Sequence, residues 1–176
     1  MSKVVVFESP NGGIGVLIPA PRWTAEEVAE KDVPFGMRYL IVEDSVFPTD
    51  ISYIEAWEVD FANPDGVGMG QQRWFIKKAE SELLEISKRT PPDLPDFVSS
   101  RSIDDLVFPD GVSDIEKSVL YANYLKNIEM ENERIKKDYE FNLETFNKKN
   151  QDDIKTNQDI IAKMYEEIAR LEGGSS

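Results

Sequence analysis

Four carboxylates, Asp50, Glu55, Asp60 and Asp65, form the densest group of residues in this sequence that could do chemistry. Suitably spaced carboxylates act as general acid and base or hold a divalent cation. The chain has no histidine and no cysteine, which excludes His relays, thiolate zinc sites and disulfides. The spacing of the four carboxylates defines neither a cleft nor an opposed pair. We therefore expect no enzyme, no catalytic or metal residue and no cofactor; a carboxylate hydrolase is the enzymatic alternative.

Two short motifs resemble ligand loops but fail in their spacing. In residues 61–72, Asn63, Asp65 and Gly66 match an EF-hand loop, yet its first and last places, which require Asp and Glu, hold Phe61 and Gln72. The glycines of residues 11–15 lack the lysine and the spacing of a phosphate-binding loop. Both motifs predict tight turns.

The charge of the chain bears on its partners. Thirty-four acidic against 20 basic residues give a net charge of -14, which disfavours binding to nucleic acid because phosphate backbones are repelled. The competing interpretation is that the acidity mimics DNA to occupy a basic protein. No apolar run approaches the roughly 20 residues that span a bilayer, and residues 1–8 lack a signal-peptide core. We expect a soluble protein that stays inside the cell, with no membrane partner.

The first 89 residues carry alternating strand and helix signals. Thr24 and Glu27 form a capping box, with Trp23 and Val28 at the spacing of a hydrophobic staple. Periodicity and turn residues predict strands over 3–8, 14–18, 38–43 and 53–61, and helices over 25–31 and 72–88. Arg73, Lys77 and Lys78 of the second helix form a small basic patch, for which a salt-bridged surface is the default and an acidic docking partner the alternative.

Residues 33–70 hold the densest set of apolar, aromatic, Pro and Gly residues. The pattern K-x-V-P-x-G-x-x-Y-x-I-V-E, then P-T-D, A-W and D-F-x-N-P-D-G-V-G, resembles short, poorly characterised proteins encoded in the tail and tail-fibre modules of tailed bacteriophages. The resemblance covers about residues 4–75 and consists of turns and core aromatics. It implies a phage setting and phage structural partners, and it carries no catalytic residues.

The C-terminal half predicts a strap and a long helix. Residues 90–112 contain Pro91, Pro92, Pro95 and Pro109 among acidic and apolar residues, which indicates a semi-rigid linker that packs as a strap against the N-terminal unit or against a neighbouring chain. Residues 113–172 contain no Pro or Gly after a second capping box at Ser113. Heptads run through Tyr121 and Leu125 and again from Ile154, but the two frames do not join. This slip predicts either one helix with a heptad discontinuity, which the lack of glycine favours, or a helical hairpin.

The predicted fold class is therefore α+β, a small N-terminal sheet unit followed by a long coiled-coil helix or helical hairpin. The predicted segments are a head (1–89), an acidic Pro-rich strap (90–112), a helical oligomerisation or docking segment (113–172) and a flexible tail (173–176).

The function that we expect is non-enzymatic. The chain would be a virion structural protein of a phage tail or tail fibre that docks a partner through its head and self-associates, or docks, through its helix. Its locations would be the virion and, during assembly, the host cytoplasm. The alternatives are a tail-fibre assembly chaperone and an acidic anti-defence inhibitor. The residues predicted to lie at protein interfaces are Trp57, Trp74, Phe97, Phe108, Ile128, Ile135, Tyr139, Phe146, Ile154, Ile161, Met164 and Ile168.

Overall fold

The computed structural model of the chain describes residues 2–46 and 57–173. Its sheet has four antiparallel strands in the order β2-β1-β3-β4. Strand β1 (Lys3–Glu8) pairs with β2 (Ile14–Leu17) across the predicted hairpin turn and with β3 (Arg38–Glu43) on its other side. The β-branched run of β1 explains its central place, because such side chains pack well in a strand that is paired on both edges.

Helix α1 (Ala25–Asp32) packs on one face of this sheet and closes the core. The predicted capping box is present: the Thr24 hydroxyl accepts from the Glu27 N–H at 3.1 Å, and a Glu27 carboxylate oxygen accepts from the Thr24 N–H at 3.0 Å. Val5, Ala29 and Val33 are fully buried at the centre of the core. Trp23, next to the cap, packs against the same cluster, as the hydrophobic staple predicts.

In the described parts of the motif, residues 33–46 and 57–70, close backbone approaches lie along β3. Strand β4 (Gly66–Val67) pairs with Arg38 and Tyr39 at the sheet edge. A Cβ atom at Gly68 would lie 2.5 Å from the Pro34 carbonyl oxygen, so only glycine fits there. The Asp65 carboxylate accepts from the Ile41 N–H at 2.7 Å. The D-G-V-G segment (residues 65–68) therefore adds a short edge strand to β3.

The predicted strand over residues 53–61 is wrong in its described part, residues 57–61, which form no regular structure; residues 53–56 lie outside the described residues. Burial still alternates there, and Phe61 is buried. Arg38 explains the difference: one guanidinium N–H donates to the Phe61 carbonyl oxygen at 2.9 Å, and others bind the Glu8 carboxylate. The Phe61 carbonyl group therefore has a side chain, rather than a neighbouring strand, as its hydrogen-bond partner.

Two helices complete the chain. Helix α2 (Gln71–Ser87) lies within one residue of its predicted ends. Helix α3 (Asp114–Gly173) is a single helix of 60 residues, so the chain has the predicted α+β layout with one long helix and no turn at 147–153. The second capping box is present, with the Ser113 N–H donating to the Glu116 carboxylate at 2.9 Å.

The chain forms two compact units, and α3 contributes to both. The first unit comprises Met1–Glu85 and Lys155–Ser176, and the second comprises Ile86–Ile154. This division differs from the predicted segments 1–89, 90–112 and 113–172. Those segments are based on the composition and periodicity of the sequence, and they stay a prediction.

Candidate protein-docking surfaces

A cluster of tryptophans and cations joins α1 to α2 within the first unit. The Trp23 and Trp74 rings meet edge to face with centroids 6.2 Å apart. The Lys31 ammonium lies 4.3 Å from the Trp23 centroid, and the Lys78 ammonium lies 5.0 Å from that of Trp74. Such contacts are attractive because the ring face carries negative charge. Trp74, predicted as an interface residue, is thus half-buried in contacts within its own chain.

The basic residues of α2 are engaged in the same way. The Arg73 guanidinium carbon lies 3.6 Å from the centroid of Phe35, and an Arg73 N–H donates to the Glu172 carboxylate at 2.9 Å. Lys77 pairs with Glu30 at 3.3 Å. Beside Arg73 lies a groove of about 500 Å³. Because each cation already has an aromatic or acidic neighbour, this patch is a salt-bridged surface, and an acidic partner would have to compete for it.

In the second unit, the proline-rich strap (residues 90–112) runs along α3 and is held by side chains of the helix. The side-chain amide of Asn132 forms hydrogen bonds with both backbone polar groups of Val98. Its oxygen accepts from the Val98 N–H at 2.7 Å, and its nitrogen donates to the Val98 carbonyl at 3.0 Å. Three residues on, the Arg101 N–H donates to the Tyr124 hydroxyl and the Arg101 carbonyl accepts from the Tyr121 hydroxyl, both at 3.1 Å. The helix satisfies the strap backbone much as a neighbouring strand would.

The strap has a three-residue period. Pro92 and Pro95 are half-buried, while residues 93, 94, 96 and 97 between and after them are exposed. Val98 and Arg101 continue the spacing through their backbone hydrogen bonds to α3, although both residues are exposed. A period of three is that of a polyproline II helix, which presents every third residue on one face. Just before the strap, Arg89 donates to the Asp153 carboxylate at 2.6 Å and to the Asn150 amide oxygen at 3.0 Å. The side chain–backbone contacts therefore fix the register of the strap on the helix.

The face of α3 that receives the strap follows an eleven-residue rather than a seven-residue repeat. Its half-buried positions in the second unit are Lys117, Tyr121, Tyr124, Ile128, Asn132, Ile135, Tyr139, Leu143, Phe146, Asn150 and Asp153. Steps of three, four and four place equivalent residues at 121, 132 and 143. Eleven residues make three turns of a nearly straight helix. The repeat holds as far as Asn150, and the next half-buried residue, Asp153, follows after three positions instead of four.

The predicted interface residues lie in several environments. Trp57 is half-buried, as is Phe108, which lines a groove of about 420 Å³ with Lys117. Phe97 is 52% exposed on the strap, and Ile154 is 36% exposed on α3. The remaining predicted residues are half-buried on α3, namely Ile128, Ile135, Tyr139, Phe146, Ile161, Met164 and Ile168.

A second row of α3 was not predicted from the sequence. Val119, Met130 and Phe141, here called the outer row, are 57%, 63% and 69% exposed. They repeat every eleven residues, and the heptad pattern of the opposite face hid this spacing. Where α3 begins, Ile115 and Val119 line an apolar groove of about 310 Å³ with Val112 and Leu120.

The carboxylates that opened the sequence analysis do not meet as a group in the described residues. Asp60 accepts from the Ala62 N–H at 2.8 Å and Asp65 from Ile41, so both serve the backbone; Asp50 and Glu55 lie outside the described residues. Residues 2–46 and 57–173 contain no group of three or more acidic side chains placed to hold a metal ion. None of the helices in these ranges is long and apolar enough to cross a bilayer.

Comparison of the chain with family models, curated proteins and solved structures gave no match.

Proposed function

We propose that this chain is a non-enzymatic structural protein of a phage tail or tail fibre, which docks a protein partner through its head and self-associates or docks through α3. The phage setting is supported by the resemblance of residues 4–75. The protein-docking role is supported by the structure of α3.

The observation that carries the docking role is the outer row of α3. A helix in water is stabilised mainly by packing of its apolar face. The α3 face of the second unit that receives the strap is only half-buried, and the outer row stays open. Exposed apolar side chains arranged along one helix face are typical of surfaces that another protein covers.

A virion role is tested by the protein content of purified particles. We expect mass spectrometry of particles from the phage that encodes the chain to detect it at a fixed stoichiometry to a tail protein. Detection in the infected-cell lysate but not in purified particles would contradict the virion role and would support the alternative of an assembly chaperone.

A further inference from the structure

The strap lies along α3 as an extended chain whose length matches a polyproline II helix. Arg89, just before the strap, contacts Asn150 and Asp153, whereas Val98, nine residues later, contacts Asn132. Asn150 and Asn132 are 18 positions apart on α3, which is a rise of about 27 Å. Nine residues of polyproline II span about 28 Å. The segment therefore runs antiparallel to α3 and has almost no slack.

The same dimensions place the half-buried prolines of the strap beside half-buried residues of the helix. Counting back from the contact between Val98 and Asn132, Pro95 lies about level with Tyr139. Pro92 lies about level with the apolar positions 143–146 of α3. Proteins recognise polyproline II segments through aromatic-lined grooves that receive residues of one face of the segment. This face of α3 has that character.

The polar contacts bind the main chain of the strap rather than its side chains. Asn132 bonds the N–H and the carbonyl of Val98, and two tyrosines bond the N–H and the carbonyl of Arg101. The rings of Tyr121 and Tyr124 are stacked with centroids 6.1 Å apart, and both hydroxyls reach the same residue. Because every residue except proline carries these two backbone groups, the contacts fit other extended segments with the same proline spacing.

The strap is held loosely enough to be exchanged. None of residues 90–112, all of which the structure describes, is buried. Its apolar side chains Leu94, Phe97 and Val107 are 79%, 52% and 99% exposed. Segments that bury little apolar surface open locally at a small cost in free energy. The strap stays in place because attachment at both ends keeps its effective concentration beside α3 high.

We propose that this face of α3, here called the strap face and centred on Tyr121, Tyr124, Asn132 and Tyr139, binds a proline-rich polyproline II segment of a partner protein. The strap is the built-in competitor for that segment. The apparent affinity for the partner is then set by how often the strap is open. This inference rests on the proposed function, because it gives a docking partner of α3 its chemistry.

A labelled peptide tests the strap face on the full-length chain. The probe is a fluorescent peptide of residues 89–102, and a control peptide has glycine at both positions that match Pro92 and Pro95. The loosened variant of the protein carries Pro92→Gly and Pro95→Gly in its own strap. Two further variants add Asn132→Ala or, at an exposed position of the same helix, Asn127→Ala. Fluorescence anisotropy measures binding, and circular dichroism verifies that the helix content is unchanged.

We expect the probe to bind the loosened variant about 5–30 times more tightly than the natural chain, because the two glycines favour the open strap. Adding Asn132→Ala should weaken this binding about tenfold, since two hydrogen bonds are lost, whereas adding Asn127→Ala should not change it. Equal affinity for the natural and loosened chains would overturn the proposal. So would an Asn132→Ala effect no larger than that of Asn127→Ala, or equal binding of the two peptides.

A competitor separates a partner protein from a second copy of this chain. The competitor is the full-length single variant Asn132→Ala, which keeps the natural strap sequence but lacks the clamp. We expect it to displace the probe from the loosened variant at least about tenfold less effectively than the unlabelled peptide does. The reason is that its strap is continuous with α2 and α3, which would have to approach the same face. Displacement as effective as that by the peptide would overturn the choice of a partner protein in favour of a second copy. None of these failures affects the virion role, which the protein content of particles tests separately.

Discussion

At the scale of single residues, the fold depends on side chains that satisfy exposed backbone. Arg38 bridges Glu8 on β1 and the Phe61 carbonyl, and Asp65 bonds the Ile41 N–H beyond the end of β4. At Phe61 the Arg38 side chain takes the place of a strand partner. Single substitutions at these positions should therefore change the stability of the fold more than their place in the secondary structure suggests.

Gly68 should not tolerate a side chain. In Gly68→Ala the new Cβ would meet the Pro34 carbonyl oxygen and a Val33 methyl group, both at 2.5 Å. We expect a loss of about 1–3 kcal/mol in the free energy of unfolding, measured by urea denaturation. The control is Gly173→Ala, whose Cβ meets no atom within 4 Å. Equal stability of the two variants would contradict the close approach at Gly68.

The Glu8–Arg38 pair should make stability depend on pH. Hydrogen bonds from Arg38 hold the pKa of the Glu8 carboxyl below its ordinary value of 4.5. A carboxyl with a lowered folded pKa stabilises the fold above its unfolded pKa, and this contribution is lost as the pH falls through the lower folded value. The urea midpoint should therefore fall as the pH is lowered from about 6, which is above the unfolded pKa, to about 3.

Substitution of Glu8 separates this effect from general acid destabilisation. We expect Glu8→Gln to be less stable than the natural chain at pH 6 and to lose less on acidification. Glu82→Gln, at an exposed position of α2, is the control and should keep the pH dependence of the natural chain. A slope in Glu8→Gln as steep as that of the control would show that the pair contributes nothing.

At the scale of elements, strong local signals predicted most of the structure. Both capping boxes, the hairpin, α1, β3 and α2 follow from residues within a few positions of each other. The strand over 53–61 was mispredicted in its described part because burial alternates over residues 57–61 without strand pairing. The clamping of the strap by Asn132 joins residues 34 positions apart, and no local pattern encodes such a contact.

Asn132 should control the order of the strap. In Asn132→Ala the Val98 N–H and carbonyl both lose their partner on α3. We expect the Val98 amide to exchange its hydrogen about 5–30 times faster, which corresponds to the roughly 1–2 kcal/mol of two exposed hydrogen bonds. Asn127→Ala, at an exposed position of the same helix, is the control. Unchanged exchange at Val98 in Asn132→Ala would show that the clamp is not needed.

At the scale of the whole molecule, α3 is the element through which we propose that the protein works. One face receives the strap by polar contacts, and the opposite face presents the outer row. The sequence predicted a long helix with an interface role, but its heptad pattern led to the half-buried face. The exposed face was missed because three apolar residues at eleven-residue spacing do not stand out until the strap has been placed.

The mass of the full-length chain in solution tests this account most directly. By light scattering at concentrations from about 1 to 500 µM, a range suited to a small interface, we expect the mass to rise from 20.1 kDa toward twice that value. Met130→Glu should remain at 20.1 kDa, because it places a charge in the exposed apolar row of α3, whereas Ile18→Glu, at an exposed position of the head, should behave as the natural chain does. A mass of 20.1 kDa for the natural chain at every concentration would contradict self-association through α3.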